Sequence, residues 1–349
     1  MNIKKVLSIC ISSILGVSLI AGCAGKSNSD GINGQSKDNS NITYAFVGKE
    51  AQNPYMRKVY EGFEKSCKEN GATSIYKSPE EATTEKQIEI INQLIKQNVS
   101  GIAIAANDAN ALHPVLKEAM EAGIKVVSLD SPVNGDSRET HIQQADPEKI
   151  GRGLIQAAYE MVNGNGDIAV LSTTEQAANQ NLWIKWMEKE IEEHPEKYAK
   201  TPLVKVEYGE DDSVKSALKT QDILTSTNSK VIIAPTTVGM LAAAKVLKDK
   251  HSDVLLTGLG LPSEMAPFIE DGACPWIYLW NPVDMGYLAG YTLDSLKKGG
   301  ISGVKGDTFK AGTLGDKAIT EAAYGGTEVM LGDPFKFDKS NIDEWKDIY

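Results

Sequence analysis

From Tyr44 to Leu279 the chain alternates between short, uninterrupted apolar runs and longer segments whose apolar residues recur every three or four positions. Tyr44-Ala45-Phe46-Val47 is the first run. Asn53-Pro54 then supplies a helix cap and a first-turn proline, and Met56, Val59, Tyr60, Phe63 and Cys67 mark one helical face that ends at Gly71. The sequence continues with a strand at Ser74-Ile75-Tyr76, a helix face at Ile88/Ile91/Leu94/Ile95, a strand at Ile102-Ala103-Ile104, a helix face at Leu112/Val115/Leu116/Ala119, and a strand from Val126 to Leu129 that meets Asp130. At Pro147 the alternation starts afresh. It predicts helices to about Met161, over Asn179 to Ile191, Val214 to Leu224, Met240 to Leu247 and Pro262 to Ile269. Strands are predicted at Ile168 to Leu171, Leu203 to Glu207, Val231 to Ala234, Val254 to Leu256 and Ile277 to Leu279. Strands that are apolar throughout must be covered on both faces, which means parallel sheets flanked by helices. The expectation is therefore an α/β chain of two tandem, doubly wound parallel-sheet domains.

One more helix, Val283 to Leu296, and a Gly/Thr-rich segment after Gly300 with strand-like pieces such as Glu328-Val329-Met330 complete the body. The expected division gives residues 42–144 and 282–310 to a first lobe and residues 145–281 and 311–349 to a second. Hinge crossovers are expected near Gln144, Asn281 and Lys310.

The N-terminus has a different character. Lys4 and Lys5 precede an uncharged, mostly apolar stretch from Val6 to Ala21, the layout of a secretory signal. At about 16 residues it is short for a membrane span, which needs about 20. The run ends in Leu19-Ile20-Ala21-Gly22-Cys23, which resembles a bacterial lipobox and implies a signal peptide of residues 1–22, cleavage before Cys23 and lipidation of its thiol. Residues 23–41, rich in Ser, Asn, Gly, Lys and Asp, cannot bury a core and are expected to form a flexible tether. The mature chain is then extracytoplasmic, held to the cell membrane by that lipid alone, and a monomer. Its two remaining cysteines, Cys67 and Cys274, fall in different expected domains and are expected to act as small buried hydrophobes. A net charge of −11 without any basic run in the body makes nucleic acid an unsuitable partner.

Sequence signatures of catalysis are absent. There is no HExxH or CxxC string, no phosphate-binding glycine loop and no nucleophile elbow, so neither a metal nor a cofactor is expected. The residues at strand ends stand out instead. Lys49 follows the first strand and Asp130 the fourth; Asn179-Gln180 opens the helix that carries Trp183; Pro235-Thr236-Thr237 follows Ala234, and Trp280-Asn281 follows Leu279. Ligands of open parallel sheets bind at the carboxyl ends of strands, and two such ends facing one another make a cleft. Carboxylate and amide acceptors, lysine and amide donors and aromatic walls suit a small neutral polyol. Tyr55 and Met56, at the start of the first helix, complete the candidate set. Asp130 also has a plainer reading as a turn residue, Asn179 as a helix cap and Trp183 as core.

The lipobox, the tandem α/β halves and the series Lys49, Asp130, Asn179-Gln180 and Ile233-Ala234-Pro235 together resemble the type I periplasmic solute-binding proteins of ABC importers, two-lobed Venus-flytrap receptors. Within that class the chain is most similar to the autoinducer-2 receptors of the Lsr type, helped by Asn181-Leu182-Trp183, Leu279-Trp280 and the tail Phe337-Asp338-Lys339-Ser340-Asn341-Ile342. In those receptors a Lys after the first strand, an Asp after the fourth, an Asp-Gln pair, a Pro and an Ala two residues later hold the ligand. The resemblance carries Lys49, Asp130, Gln180 and Pro235 over unchanged. It departs at Asn179, where the family has Asp, and at Thr237, where it has Ala. What it implies is a quorum-sensing or nutrient receptor and not an enzyme. The expected ligand is autoinducer-2 in its hydrated, non-borated furanose form, delivered to an ABC importer permease. The alternative is a rhamnose- or pentose-type sugar. A carbohydrate-active enzyme is a remote third reading, since it needs a second cleft carboxylate and Glu50 is the one strand-end candidate.

Overall fold

The computed structural model describes residues 42–323 and 325–349. The expected signal peptide 1–22, the tether 23–41 and the lipidated Cys23 lie outside the described residues. The chain first runs through β1 (Thr43–Val47), α1 (Pro54–Glu69), β2 (Thr73–Lys77), α2 (Thr84–Lys96), β3 (Gly101–Ile104), α3 (Ala109–Glu121), β4 (Lys125–Leu129) and β5 (Thr140–Gln143). It then enters a second lobe through α4 (Pro147–Met161), β6 (Ile168–Ser172), α5 (Ala178–Glu193), α6 (Pro195–Tyr198), β7 (Leu203–Tyr208) and α7 (Ser213–Ser226). That lobe continues through β8 (Val231–Ala234), α8 (Thr237–Asp249), β9 (Leu255–Gly258), α9 (Pro262–Glu270) and β10 (Trp276–Leu279). The last part comprises α10 (Pro282–Lys297), β11 (Thr308–Lys310), β12 (Asp316–Glu321), β13 (Thr327–Met330), β14 (Phe335–Asp338) and α11 (Ile342–Trp345).

The two α/β lobes expected from the alternation are present. The first sheet has the order β11-β12-β13-β5-β4-β3-β1-β2, parallel from β13 to β2. The second has the order β7-β6-β8-β9, all parallel, and a bridge between Leu259 and Tyr278 brings β10 alongside β9. The central strands are apolar and fully buried, Tyr44 to Val47 in one sheet and Val231 to Ala234 in the other. Helices cover both faces, as such strands require.

Two features depart from the sequence reading. Strand β5, Thr140-His141-Ile142-Gln143, has a single aliphatic residue and gives no apolar signal, yet it is wholly buried. Some of its polar groups are paired locally: Ser128 Oγ lies 2.8 Å from His141 Nδ1, and Gln143 Nε2 donates to the Ala145 carbonyl oxygen at 2.7 Å. The tail also divides differently. Residues 311–349 were expected in the second lobe with a crossover near Lys310, but β12 and β13 extend the first sheet, β12 antiparallel to both its neighbours, and only β14 pairs with β10. The third crossover is therefore the segment 331–334. The physical reason is that β5 would otherwise be a sheet edge with bare backbone groups, and β13 takes up those hydrogen bonds.

After the second lobe α10 returns to pack on α1, and the contact is made by backbones. A Cβ on Gly62 would overlap the Val283 carbonyl oxygen, one on Gly286 the Val59 carbonyl oxygen, and one on Gly290 the Ser66 hydroxyl. The contacts advance together along both helices, so the helices run parallel with their N-termini at the same end. Gly286→Ala is expected to lower stability by about 3 kcal/mol, the upper end of overpacking costs, because backbone cannot move aside as a side chain can. Gly153→Ala in α4, where an added Cβ meets nothing within 4 Å, is the control and should stabilise by up to about 1 kcal/mol. Urea unfolding of the two variants measures both.

Candidate functional site

The carboxyl ends of the two sheets line a small, half-open pocket with a cavity volume of about 40 Å³. From the first lobe it is lined by Lys49, Asn53, Tyr55, Met56 and Asp130. The second lobe contributes Thr173 after β6, Gln180 and Trp183 on α5, Asp211 after β7, Pro235, Thr236 and Thr237 around the start of α8, and Leu259, Leu279 and Trp280 after β9 and β10.

Asp130 is the centre of the polar network. It follows β4 with φ of 60°, a left-handed conformation that Asp tolerates better than most residues and that turns its side chain out of the strand. One carboxylate oxygen lies 3.4 Å from Lys49 Nζ and accepts a long bond from Asn179 Nδ2 at 3.4 Å; the other accepts from the Tyr55 hydroxyl at 3.3 Å. Gln144, in the first crossover, donates to the Asp130 carbonyl oxygen at 3.2 Å. Burial raises the Asp130 carboxyl above its ordinary value of 3.8; Lys49 opposes this, and the negative charge of Asp211 adds to it.

An aromatic wall stands beside this network. Trp280 Nε1 donates to the Tyr55 hydroxyl at 2.7 Å, and the Tyr55 and Trp280 rings meet edge-on with centroids 6.3 Å apart. Trp183 lies 6.1 Å from Trp280. Opposite, Gln180 donates to the Pro235 carbonyl oxygen at 3.1 Å and accepts from the Thr173 hydroxyl. Trp183 Nε1 and Asn179 Oδ1 are buried without a hydrogen-bond partner among the described residues, which leaves one donor and one acceptor uncommitted at the site.

The structure brings together Lys49, Tyr55, Met56, Asp130, Gln180, Pro235, Thr237 and Trp280 as cavity lining. Asn179 is not in the lining itself but donates to Asp130; it does not cap α5, whose capping position is Ala177. Asn281 is outside the cavity. Its side chain accepts from Val283 N and Asp284 N at the start of α10, so its polarity is spent on that helix end. Trp183, weighed as core, is both buried and lining. Cys67 and Cys274 are free and buried.

Sequence reasoning missed Asn53, Thr173, Asp211, Leu259 and Leu279 as lining residues. Asn53 had been assigned to capping, and it does cap α1 through Met56 N, but its Nδ2 also donates to Asp211 Oδ2 at 3.0 Å. Asp211 corrects the expectation that Glu50 was the one further strand-end carboxylate. The signal was available: Thr173 follows β6 immediately and Asp211 lies three residues past β7, the same strand-end rule that found Lys49 and Asp130.

This geometry has a family counterpart. A family model described as a periplasmic binding protein domain matches residues 44–301, and the chain belongs to that family. It is similar to an ABC transporter solute-binding protein from Clostridium phytofermentas, whose crystal structure contains bound L-rhamnose. The two are 46% identical over 89% of this chain and 99% of that one, with a TM-score of 0.86. LsrB from Clostridium saccharobutylicum, in complex with AI-2, has a TM-score of 0.81 over 87% of this chain and 99% of its own, at 22% identity, a likeness of fold alone. The fructose import binding protein FruE of Bifidobacterium longum is 26% identical over 167 residues, 47% of this chain and 49% of that protein. The chain spans about half or less of the length of the curated relatives it matches.

Because Asp130 is buried, its neighbours carry the cost of its charge. Lys49→Met is expected to destabilise the protein by roughly 3 kcal/mol, since a buried carboxylate then loses its cation. Adding Asp130→Asn to that variant should restore most of the loss. Thermal and urea unfolding of the single and double variants test the coupling.

Proposed function

We propose that this protein is the extracytoplasmic receptor of an ABC importer, binding one neutral monosaccharide of the 6-deoxyhexose type, with L-rhamnose the first candidate, in the cavity between its lobes. The observation that carries this reading is the 46% identity, over nearly the whole described chain, with a protein that holds L-rhamnose. The chemistry of the cavity supports it. Asp130 accepts from adjacent hydroxyls, Lys49 and Gln180 donate, and Trp183 and Trp280 offer apolar faces to the C–H surface of a ring. Delivery to a permease, and attachment to the membrane through a lipid on Cys23, follow from the same family reading and from the sequence ahead of residue 42.

Autoinducer-2 is the second reading. Its support is the convergence on one cavity of Lys49, Asp130, Gln180 and Pro235, the four positions carried over from its receptors. The weight moves to rhamnose because the autoinducer-2 complex is a likeness of fold at 22% identity, whereas the rhamnose complex is twice as similar in sequence. Thr237, where those receptors have Ala, lies at the first position of α8 and supplies a hydroxyl as well as a methyl group. Turnover is not part of either reading: Asp130 is paired with Lys49, and incubation with the sugars should leave them unchanged.

Calorimetry of ligand-free protein against L-rhamnose, D-ribose and autoinducer-2 is expected to give the tightest binding for rhamnose; tighter binding of autoinducer-2 would reverse the order of the two readings. Charge-assisted hydrogen bonds contribute about 1.5–3 kcal/mol each, so Asp130→Ala should weaken binding by about tenfold to a hundredfold. A loss under threefold would make Asp130 a turn residue. Affinity should also fall as pH falls through the raised Asp130 pKa, that is, beginning above the ordinary 3.8, because the protonated carboxyl loses its charge. The same group makes the folded state bind its proton more tightly than the unfolded chain does, so its contribution to stability moves oppositely, improving over that window as pH falls.

A further inference from the structure

Asp211 occupies a position that no other residue shares. Among the described residues it alone lines both the cavity and a wide groove outside it, whose walls include Glu50, Glu210 and Asp212. It is buried, and each of its oxygens has one protein partner: Asn53 Nδ2 of the first lobe at 3.0 Å and the Thr236 hydroxyl of the second at 3.3 Å. The Asn53 contact therefore spans the lobes at the boundary between groove and cavity. No lysine or arginine lies within ion-pair distance of Asp211 among the described residues, whereas Asp130 has Lys49.

The local backbone holds this carboxylate in place. Glu210 and Asp211 are consecutive non-glycine residues at φ of 56° and 52°, a conformation kept only where surrounding structure enforces it. Gly209 N and Glu210 N donate to the Ser172 and Thr173 carbonyl oxygens at the end of β6, and Asp212 caps α7 through Lys215 N. The chain thus accepts two left-handed residues in a row to aim an unneutralised carboxylate at the mouth of the cavity. Lysine and aspartate cancel within the cavity, so Asp211 leaves its lining with a net negative charge.

We infer that Asp211 is a specificity-determining residue of this site, a charge filter at the cavity mouth that admits neutral sugars, accepts a hydroxyl hydrogen bond from them and rejects their anionic counterparts such as uronates and borate esters. This rests on the sugar-receptor reading above. A carboxylate accepts about four hydrogen bonds, so the contacts from Asn53 and Thr236 leave capacity for a ligand hydroxyl. A ligand carboxylate would meet a like charge in a water-poor space, where repulsion is weakly screened.

The test compares L-rhamnose with L-mannuronate, the same ring with a carboxylate in place of the C6 methyl group, by calorimetry on the wild type, Asp211→Asn, Asp211→Ser and Glu210→Gln, each first checked for folding by thermal unfolding. The expected result is a ratio of mannuronate to rhamnose affinity that rises by at least about tenfold in both Asp211 variants, with rhamnose itself weakened severalfold. Glu210→Gln, which removes the same unit of charge from the exposed neighbour, should leave the ratio within about threefold. Rhamnose binding with an unchanged ratio in the Asp211 variants overturns this inference and leaves the receptor reading standing. An equal shift in Glu210→Gln assigns the discrimination to the groove as a whole and also overturns it, as does failure of both Asp211 variants to fold. Absence of binding to any neutral sugar by the wild type overturns the sugar reading, and this inference with it.

Discussion

The structure depends on a place where two helices touch backbone to backbone. Gly62 on α1 and Gly286 on α10 allow the carbonyls of Val283 and Val59 to lie where side chains would ordinarily stand. This crossing holds the chain, on its return from the second lobe, against the helix that follows the first strand. Because the helices run parallel, both N-termini face the cleft. The consequence reaches the site directly: Asn53 and Tyr55 open α1, Trp280 and Asn281 precede α10, and the Tyr55 hydroxyl lies 3.2 Å from Met285 Sδ on α10 as well as within reach of Asp130 and Trp280. A bulkier residue at either glycine would part the helices and pull this cluster apart.

The electrostatics of the cavity follow from how little water reaches it. Asp130 is tolerated because Lys49, Tyr55 and Asn179 surround it, and burial still raises its pKa. Glu50, at the rim, is raised for the same first reason, with Asp211 and Asp212 adding repulsion. A cleft built this way presents a few acceptors fixed by their neighbours. It has little capacity to stabilise additional negative charge.

Much of this was legible in the sequence where the signal was apolar periodicity. Continuous apolar runs such as Val231 to Ala234 could only be central strands, and strand ends then pointed to Lys49, Asp130, Gln180, Pro235 and Trp280. Legibility failed where residues served two purposes or departed from hydrophobic patterning. Strand β5 is buried through hydrogen bonds, so Thr140, His141 and Gln143 gave no apolar pattern. Asn53 looked like a helix cap because it is one, and its second bond to Asp211 depends on the opposing lobe. Asn281 had the composition of a ligand residue at a strand end, but the adjoining helix needed its oxygen. Such choices are made by tertiary contacts between residues far apart in the chain, which local pattern does not encode.

The three crossings at 144–146, 280–281 and 331–334 mean that neither lobe is a continuous piece of chain. The first sheet has five strands by residue 143 but acquires β13, β12 and the helix packed on α1 only after the whole of β6 to β10 has been laid down. The second lobe likewise waits for β14 to cover β10. In the order of synthesis, the lobe that begins first is still open when its partner is nearly complete, and both finish within the final stretch of chain. No single cut yields two self-sufficient halves, so folding of the two lobes is tied together by the path of the chain itself.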